Sequence, residues 1–174
     1  MPNTYNKIKD KALQSVAEAM CISARTAPKA KGVDNLVITI LTKPEITKVI
    51  QEMKRIAKNN NRPSCKRDAE NIKNVKHIVV IGTKKKTLGL DCGFCGYKTC
   101  LDLSKTKGIC AYNSMDLGIA LGSACKIASD FNVDNRLMYS IGKASINCKI
   151  LGTGIAQAIG IPLEATGKNI FFDR

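Results

Sequence analysis

Cys92-Gly93-Phe94-Cys95-Gly96-Tyr97-Lys98-Thr99-Cys100, with Cys110 following after a short polar run, is the stretch around which the rest of the chain is organised. The chain has a single histidine, so four thiols packed this closely are most economically read as ligands for iron or zinc. Residues from about 88 to 112 then form a metal-holding loop, and the remaining sequence is a frame that presents it.

The spacing is C-x2-C-x4-C-x9-C. A 4Fe-4S cube needs several thiolates converging from a tightly turned loop, with backbone amides left free to bond its sulfides. Gly93 and Gly96 allow that turning. Zinc knuckles also use Cys-x2-Cys, but they supply a second close pair, whereas here the third and fourth cysteines stand apart. The order matches neither the bacterial C-x2-C-x2-C-x3-C-P run nor the plant-type C-x4-C-x2-C arrangement. A 4Fe-4S cluster on Cys92, Cys95, Cys100 and Cys110 is the leading reading, and zinc is the alternative. With so little imidazole available, a hydrolytic zinc centre is disfavoured.

At 174 residues the chain suits one domain, 1–174, and a chain of that size buries about 70% of its unfolded surface. The formal charge of +14 predicts acidic partners: an acidic redox protein, an anionic cofactor or a nucleic acid. Aromatic content of 5% with no tryptophan offers few stacking platforms for single strands. The polar start, Met1 to Asp10, lacks the apolar core of a signal peptide, so the eight cysteines are expected in a reducing cytoplasm. No apolar run is long enough to cross a bilayer.

Outward from the loop, His77 to Gly82 reads as a buried strand, and its lone histidine lacks nearby partners for a catalytic site. Upstream, apolar positions from Tyr5 to Met20 recur at helical spacing over about 4–24, with Cys21 extending the apolar side. Leu36 to Leu41 reads as a strand. Thr42-Lys43-Pro44-Glu45 is a capping box opening a helix to about Lys58. Ser64 is expected to cap a charged helix reaching about Asn74. The basic connection 25–35 is either a solvated turn or an anion site.

Downstream, Ile109 to Asn113 reads as a short strand and Ser114 as the cap of a helix from Met115 to about Phe131. That helix carries an apolar stripe through Leu117, Leu121 and Cys125, with Gly118 and Gly122 keeping the other side small. Arg136 to Ile141 reads as a strand, Lys143 to Leu151 as a short helix, and Ile155 to Leu163 and Asn169 to Phe172 as strand-like.

The 92–100 run resembles the 4Fe-4S motif of ion-pumping electron-transport subunits and corrinoid iron–sulfur proteins, which share Cys-Gly-x-Cys-Gly and the four-residue gap. Asp116 to Ala124, Val133 to Arg136 and Gly160 to Arg174 resemble a family of uncharacterised bacterial and archaeal ferredoxin-domain proteins. The order of elements is also similar to the flavin-binding nitroreductase fold, with Ala27-Pro28 and Asn35 before the first strand and Gly160-Ile161-Pro162 near the end. That resemblance implies an α+β sheet flanked by helices, a homodimer, and FMN near its interface, with Arg25, Lys168 and Arg174 as phosphate partners. The Arg-x-Ser-x-Arg and Asn-x-Gln patterns of nitroreductases are absent.

Together these features predict an electron-transfer protein or oxidoreductase component. Lys84, Lys85 and Lys86 precede the ligands; one cation about 10 Å from a cluster, at an effective dielectric near 40, favours its reduced form by roughly 0.8 kcal/mol. On a one-electron scale that is about 35 mV. Nucleic-acid binding and redox sensing, each with a structural metal site, are the competing readings.

Overall fold

Eight residues, His77–Lys84, decide how the chain is layered. Their run of Ile, Val and Ile has no polar alternation, which requires a strand covered on both faces. The computed structural model describes residues 4–172, and there His77–Lys84 is β2, one of the two inner strands of a four-stranded sheet. With β1 (Leu36–Ile40), β3 (Asp134–Asn135) and β4 (Ile155–Glu164), the order is β1-β2-β4-β3, every pair antiparallel.

Six helices cover the sheet or edge it: α1 (Thr4–Thr26), α2 (Lys43–Asn59), α3 (Pro63–Asn71), α4 (Cys100–Ser104), α5 (Ala111–Asp130) and α6 (Tyr139–Asn147). Val79 and Ile81 point to one face, where α1 and α5 pack through Leu13, Val16, Met20, Leu117 and Leu121. Ile78 and Val80 point to the other, against α2, α3 and α6. All four β2 side chains are fully buried, each worth about 1.5–3 kcal/mol of transfer free energy.

The expected strands at Leu36 and His77, the long C-terminal strand and the major helices are present. The capping box is too: the Glu45 carboxylate accepts from the Thr42 N–H (2.8 Å) and hydroxyl (2.7 Å). Several local expectations are corrected. Ala111 is already helical, so no strand spans 109–113, and Ser114 lies inside α5 with its hydroxyl bonded to Gln157 Oε1 at 2.6 Å. Arg62 occupies the cap position of α3 because Pro63 sits best in the first turn, which displaces Ser64. Tyr5 and Ile8 are exposed rather than part of the apolar stripe. The 169–172 segment is a turn, held by Asn169 accepting from the Phe171 N–H, with Phe171 fully buried.

The expected strand at 136–141 is also replaced. Only a bridge between Met138 and Gly160 remains before the chain enters α6. The cause is close packing of α6 on β4: a Cβ on Gly142 would lie 1.8 Å from the Ala158 carbonyl oxygen, and one on Gly160 would lie 2.2 Å from Ile141 Cγ2. Gly142→Ala is therefore expected to cost about 3 kcal/mol, the upper range for overpacking. Thermal unfolding should show a fall of roughly 6–12 °C at this chain length; an unchanged midpoint would contradict the contact.

Candidate metal centre

The chain leaves the sheet at Lys84 and rejoins the packed frame at Ala111, the start of α5, and both ends of this excursion are tied down. The Lys84 N–H donates to Asn35 O at 2.9 Å and the Lys85 N–H to Gly154 O at 2.7 Å. Asn113, in the first turn of α5 and 1% exposed, donates to Lys86 O at 2.5 Å and accepts from Asn35 Nδ2 at 3.1 Å. One buried amide thus joins the entry of β1, the exit of β2 and the start of α5. Asp116 accepts from the Ala30 N–H at 3.0 Å, and Lys31 Nζ reaches Leu88 O at 3.3 Å, so the turn after α1 braces the same segment.

Within the excursion the backbone turns repeatedly through the left-handed region, at Gly89, Asp91, Gly93 and Gly96. Asp91, a non-glycine residue held at φ 46°, accepts from the Cys100 N–H at 2.6 Å. Thr99 caps α4, its hydroxyl accepting from the Asp102 N–H at 3.1 Å and donating to the Asp102 carboxylate at 2.7 Å. Cys100 therefore begins α4, and Cys110 stands at the cap of α5, whose positive end favours negative charge placed there.

The result is that Cys92, Cys95, Cys100 and Cys110 all line one narrow cavity, closed in by Leu88, Tyr97 and Tyr112. All four are free thiols; Cys92 is exposed, Cys95 and Cys100 are half-buried and Cys110 is buried. Among the described residues, no three His, Cys, Asp or Glu side chains converge closely enough to hold one metal ion. A single zinc needs all its sulfur ligands at about 2.3 Å from one centre. A 4Fe-4S cube gives each thiolate its own iron and so accepts a wider ring of sulfurs. Four free thiols lining one cavity are the type of donor set that such a cube takes.

The segment has little core of its own: Leu88, Leu103 and Cys110 are its buried residues, with Cys95, Tyr97 and Tyr112 packed against them.

The other thiols lie elsewhere. Cys21 and Cys125 pack against the α1–α5 core and Cys65 is buried on the opposite face of the sheet. Burial pushes all three thiols up from their ordinary value, and Cys148 likewise.

Of the phosphate candidates, Arg25 and Lys168 are not brought together within one chain. Arg25 pairs with Asp34 at 2.5 Å and donates to Leu36 O, at the end of the sheet where Leu36, Thr83 and Gln157 align. Lys168 comes four residues after Glu164, the other end of β4, which is ~23 Å from Gln157 along the strand. Arg174 lies outside the described residues. In the basic connection, Lys29 donates to Arg25 O and Ala27 O, so this cation serves its own turn. His77, at the strand end remote from the cysteines, bonds Asp10 through Nε2 at 3.0 Å.

A second cavity, of about 570 Å³, opens between α5, α6 and β4 and is lined by Ser114, Gly118, Tyr139, Lys143 and Gln157. Ser114 is one turn along α5 from Cys110. The roles of Asp91 and Asn113 were not legible from the cysteine spacing, although Thr99-x-x-Asp102 carries a cap signal in the sequence itself.

Residues 106–174 match the family described as "Uncharacterized protein containing a ferredoxin domain (DUF2148)". An uncharacterised protein of Archaeoglobus fulgidus is 36% identical over 175 residues, covering 95% of this chain and 94% of that protein. Among solved structures, an oxidoreductase containing FMN is similar with a TM-score of 0.61 at 10% identity, over 91% of this chain and 70% of that one. A nitroreductase with bound FMN from Desulfitobacterium hafniense gives 0.60 at 14%, over 88% and 78%. The α+β architecture is nitroreductase-like.

Alkylation by iodoacetamide, mapped by mass spectrometry, should separate the two classes of thiol. Cys92, Cys95, Cys100 and Cys110 are expected to be protected in anaerobic protein and to label once iron is chelated. Cys21, Cys125 and Cys148 should stay slow near neutral pH in both states. Because their thiols are raised, their labelling rates should still be climbing above pH ~9.5, about one unit past the ordinary thiol value, where an unperturbed thiol levels off. Labelling of the loop cysteines that ignores chelation would count against a metal there.

Proposed function

The chain belongs to the family of uncharacterised proteins containing a ferredoxin domain, and from that premise we propose that Cys92, Cys95, Cys100 and Cys110 hold a 4Fe-4S cluster used for one-electron transfer. The observation that carries this reading is that all four thiols line one cavity in a segment with almost no core of its own. When bound, such a cluster takes up and releases single electrons. The chain's own residues do the rest. Asp91 fixes the backbone at Cys100, the Asn113 amide and the α5 cap fix Cys110, and Leu88, Tyr97 and Tyr112 limit water around the sulfurs.

Two finer parts of the reading have separate support. FMN is a second cofactor: fold neighbours include proteins with bound FMN, and the α5–α6–β4 cavity lies within the volume range of cofactor sites. A homodimer is the assembly: α5 exposes Met115 and Ile119, and a Cβ on Gly118 or Gly122 would meet open space. Eight free cysteines fit a reducing, cytoplasmic setting, and among the described residues no helix is long and apolar enough to cross a membrane.

The test is a potentiometric titration of anaerobic protein, followed by visible absorbance and EPR with dithionite as reductant. The expected result is broad absorbance that bleaches reversibly, with an EPR signal appearing over a one-electron Nernst curve. Flavin released on denaturation, and a sedimenting mass of twice the chain, check FMN and the dimer on the same material. Absorbance that never bleaches would end the electron-transfer reading.

A further inference from the structure

Cys110 is a wall shared by two spaces. On one side is the cysteine cavity, and on the other is an open recess of about 280 Å³ lined by Lys85, Lys86, Thr87, Leu103, Ser104 and Gly108. Carboxylates are scarce in this segment: between 84 and 112 there are six lysines and two aspartates, and both aspartates are engaged. Asp91 accepts from Cys100, and Asp102 bonds Thr99 and pairs with Lys105. Lys85 is held by Thr106 O at 2.9 Å, a neutral partner that leaves its charge uncompensated, and Lys86 is exposed. Leu101 is 65% exposed and shares a face of α4 with Ser104, three residues on, which gives the recess an apolar rim.

A cationic hollow edged by an apolar side chain matches an acidic protein surface. We propose that this recess is the docking site of a small acidic one-electron carrier protein, and that Cys110 is the ligand through which its electron passes. The inference rests on the iron–sulfur reading above. In the transfer, the carrier is oxidised by one electron and the cluster reduced by one; no bond is made or broken and no atom moves. Docking against the Cys110 wall would place the carrier next to the Cys110 sulfur, a side chain that is otherwise buried, so the residues of the recess control partner access.

The probe is a flavodoxin with a surplus of surface carboxylates, and the readout is its dissociation constant by calorimetry at about 25 mM and 200 mM salt. Iron and labile sulfide are measured on every preparation. Lys85→Glu/Lys86→Glu is expected to weaken binding tenfold or more at low salt, with the difference shrinking at high salt as the Debye length falls. Ser104→Glu puts a negative charge in the recess while keeping the Lys85 tie, and should weaken binding severalfold. Lys43→Glu/Lys48→Glu on α2 makes the same charge change away from the recess and should stay within twofold.

Equal losses in the recess and α2 variants would reduce the effect to net charge and overturn the site. So would unaltered flavodoxin affinity in the recess variants, or recess variants that lose duplex RNA binding but keep flavodoxin. Iron-free protein would instead fail the cluster reading, and the affinities still decide the docking site. Full cluster content with affinities indifferent to the recess fails the docking site alone.

Discussion

The buried side chain of Asn113 is the interaction on which the candidate site depends. Its amide nitrogen holds Lys86 O, where the cysteine segment leaves the sheet, and its oxygen holds Asn35, where β1 begins. It does this from the first turn of α5, three residues after Cys110. Losing it would leave buried polar groups unpartnered, at about 1–3 kcal/mol each. More importantly, it would free one wall of a segment with few internal contacts to replace it. Burial of β2 on both faces makes the anchor rigid, because strand exit and helix start belong to one packed unit.

This arrangement divides the work between frame and loop. The sheet and its five packed helices supply nearly all the buried apolar surface, while the excursion supplies thiols, left-handed turns and positive charge. A loop built this way has little reason to be ordered by its own packing. It is ordered by its two anchors and, on the proposed function, by what the four sulfurs bind. Raised thiols elsewhere in the chain make the contrast sharper: Cys21, Cys65 and Cys125 behave as small apolar side chains inside the frame.

Much of the frame was legible in the sequence because single elements carry their own signals. The apolar run of β2, the Thr42–Glu45 box and the stripe along α5 each identify an element without knowledge of its neighbours. What was not legible depends on tertiary approach. Arg136 to Ile141 reads as a strand until Gly142 and Gly160 are seen packed against Ala158 and Ile141, where only a helix lying tight on β4 fits. Likewise Ser114 looks like a cap, yet its hydroxyl is taken by Gln157 from β4, and the cap position falls to Cys110. The cysteine spacing named the thiols that share a cavity. The nitroreductase resemblance set Arg25 beside Lys168 as phosphate partners, and strand register puts them toward opposite ends of the sheet.

The most direct test of the central claim is the iron, labile sulfide and zinc content of anaerobically purified protein. The account predicts about four irons and four sulfides per chain and negligible zinc, with serine at Cys110 lowering the iron and serine at Cys125 leaving it intact. One zinc per chain with no labile sulfide would contradict it.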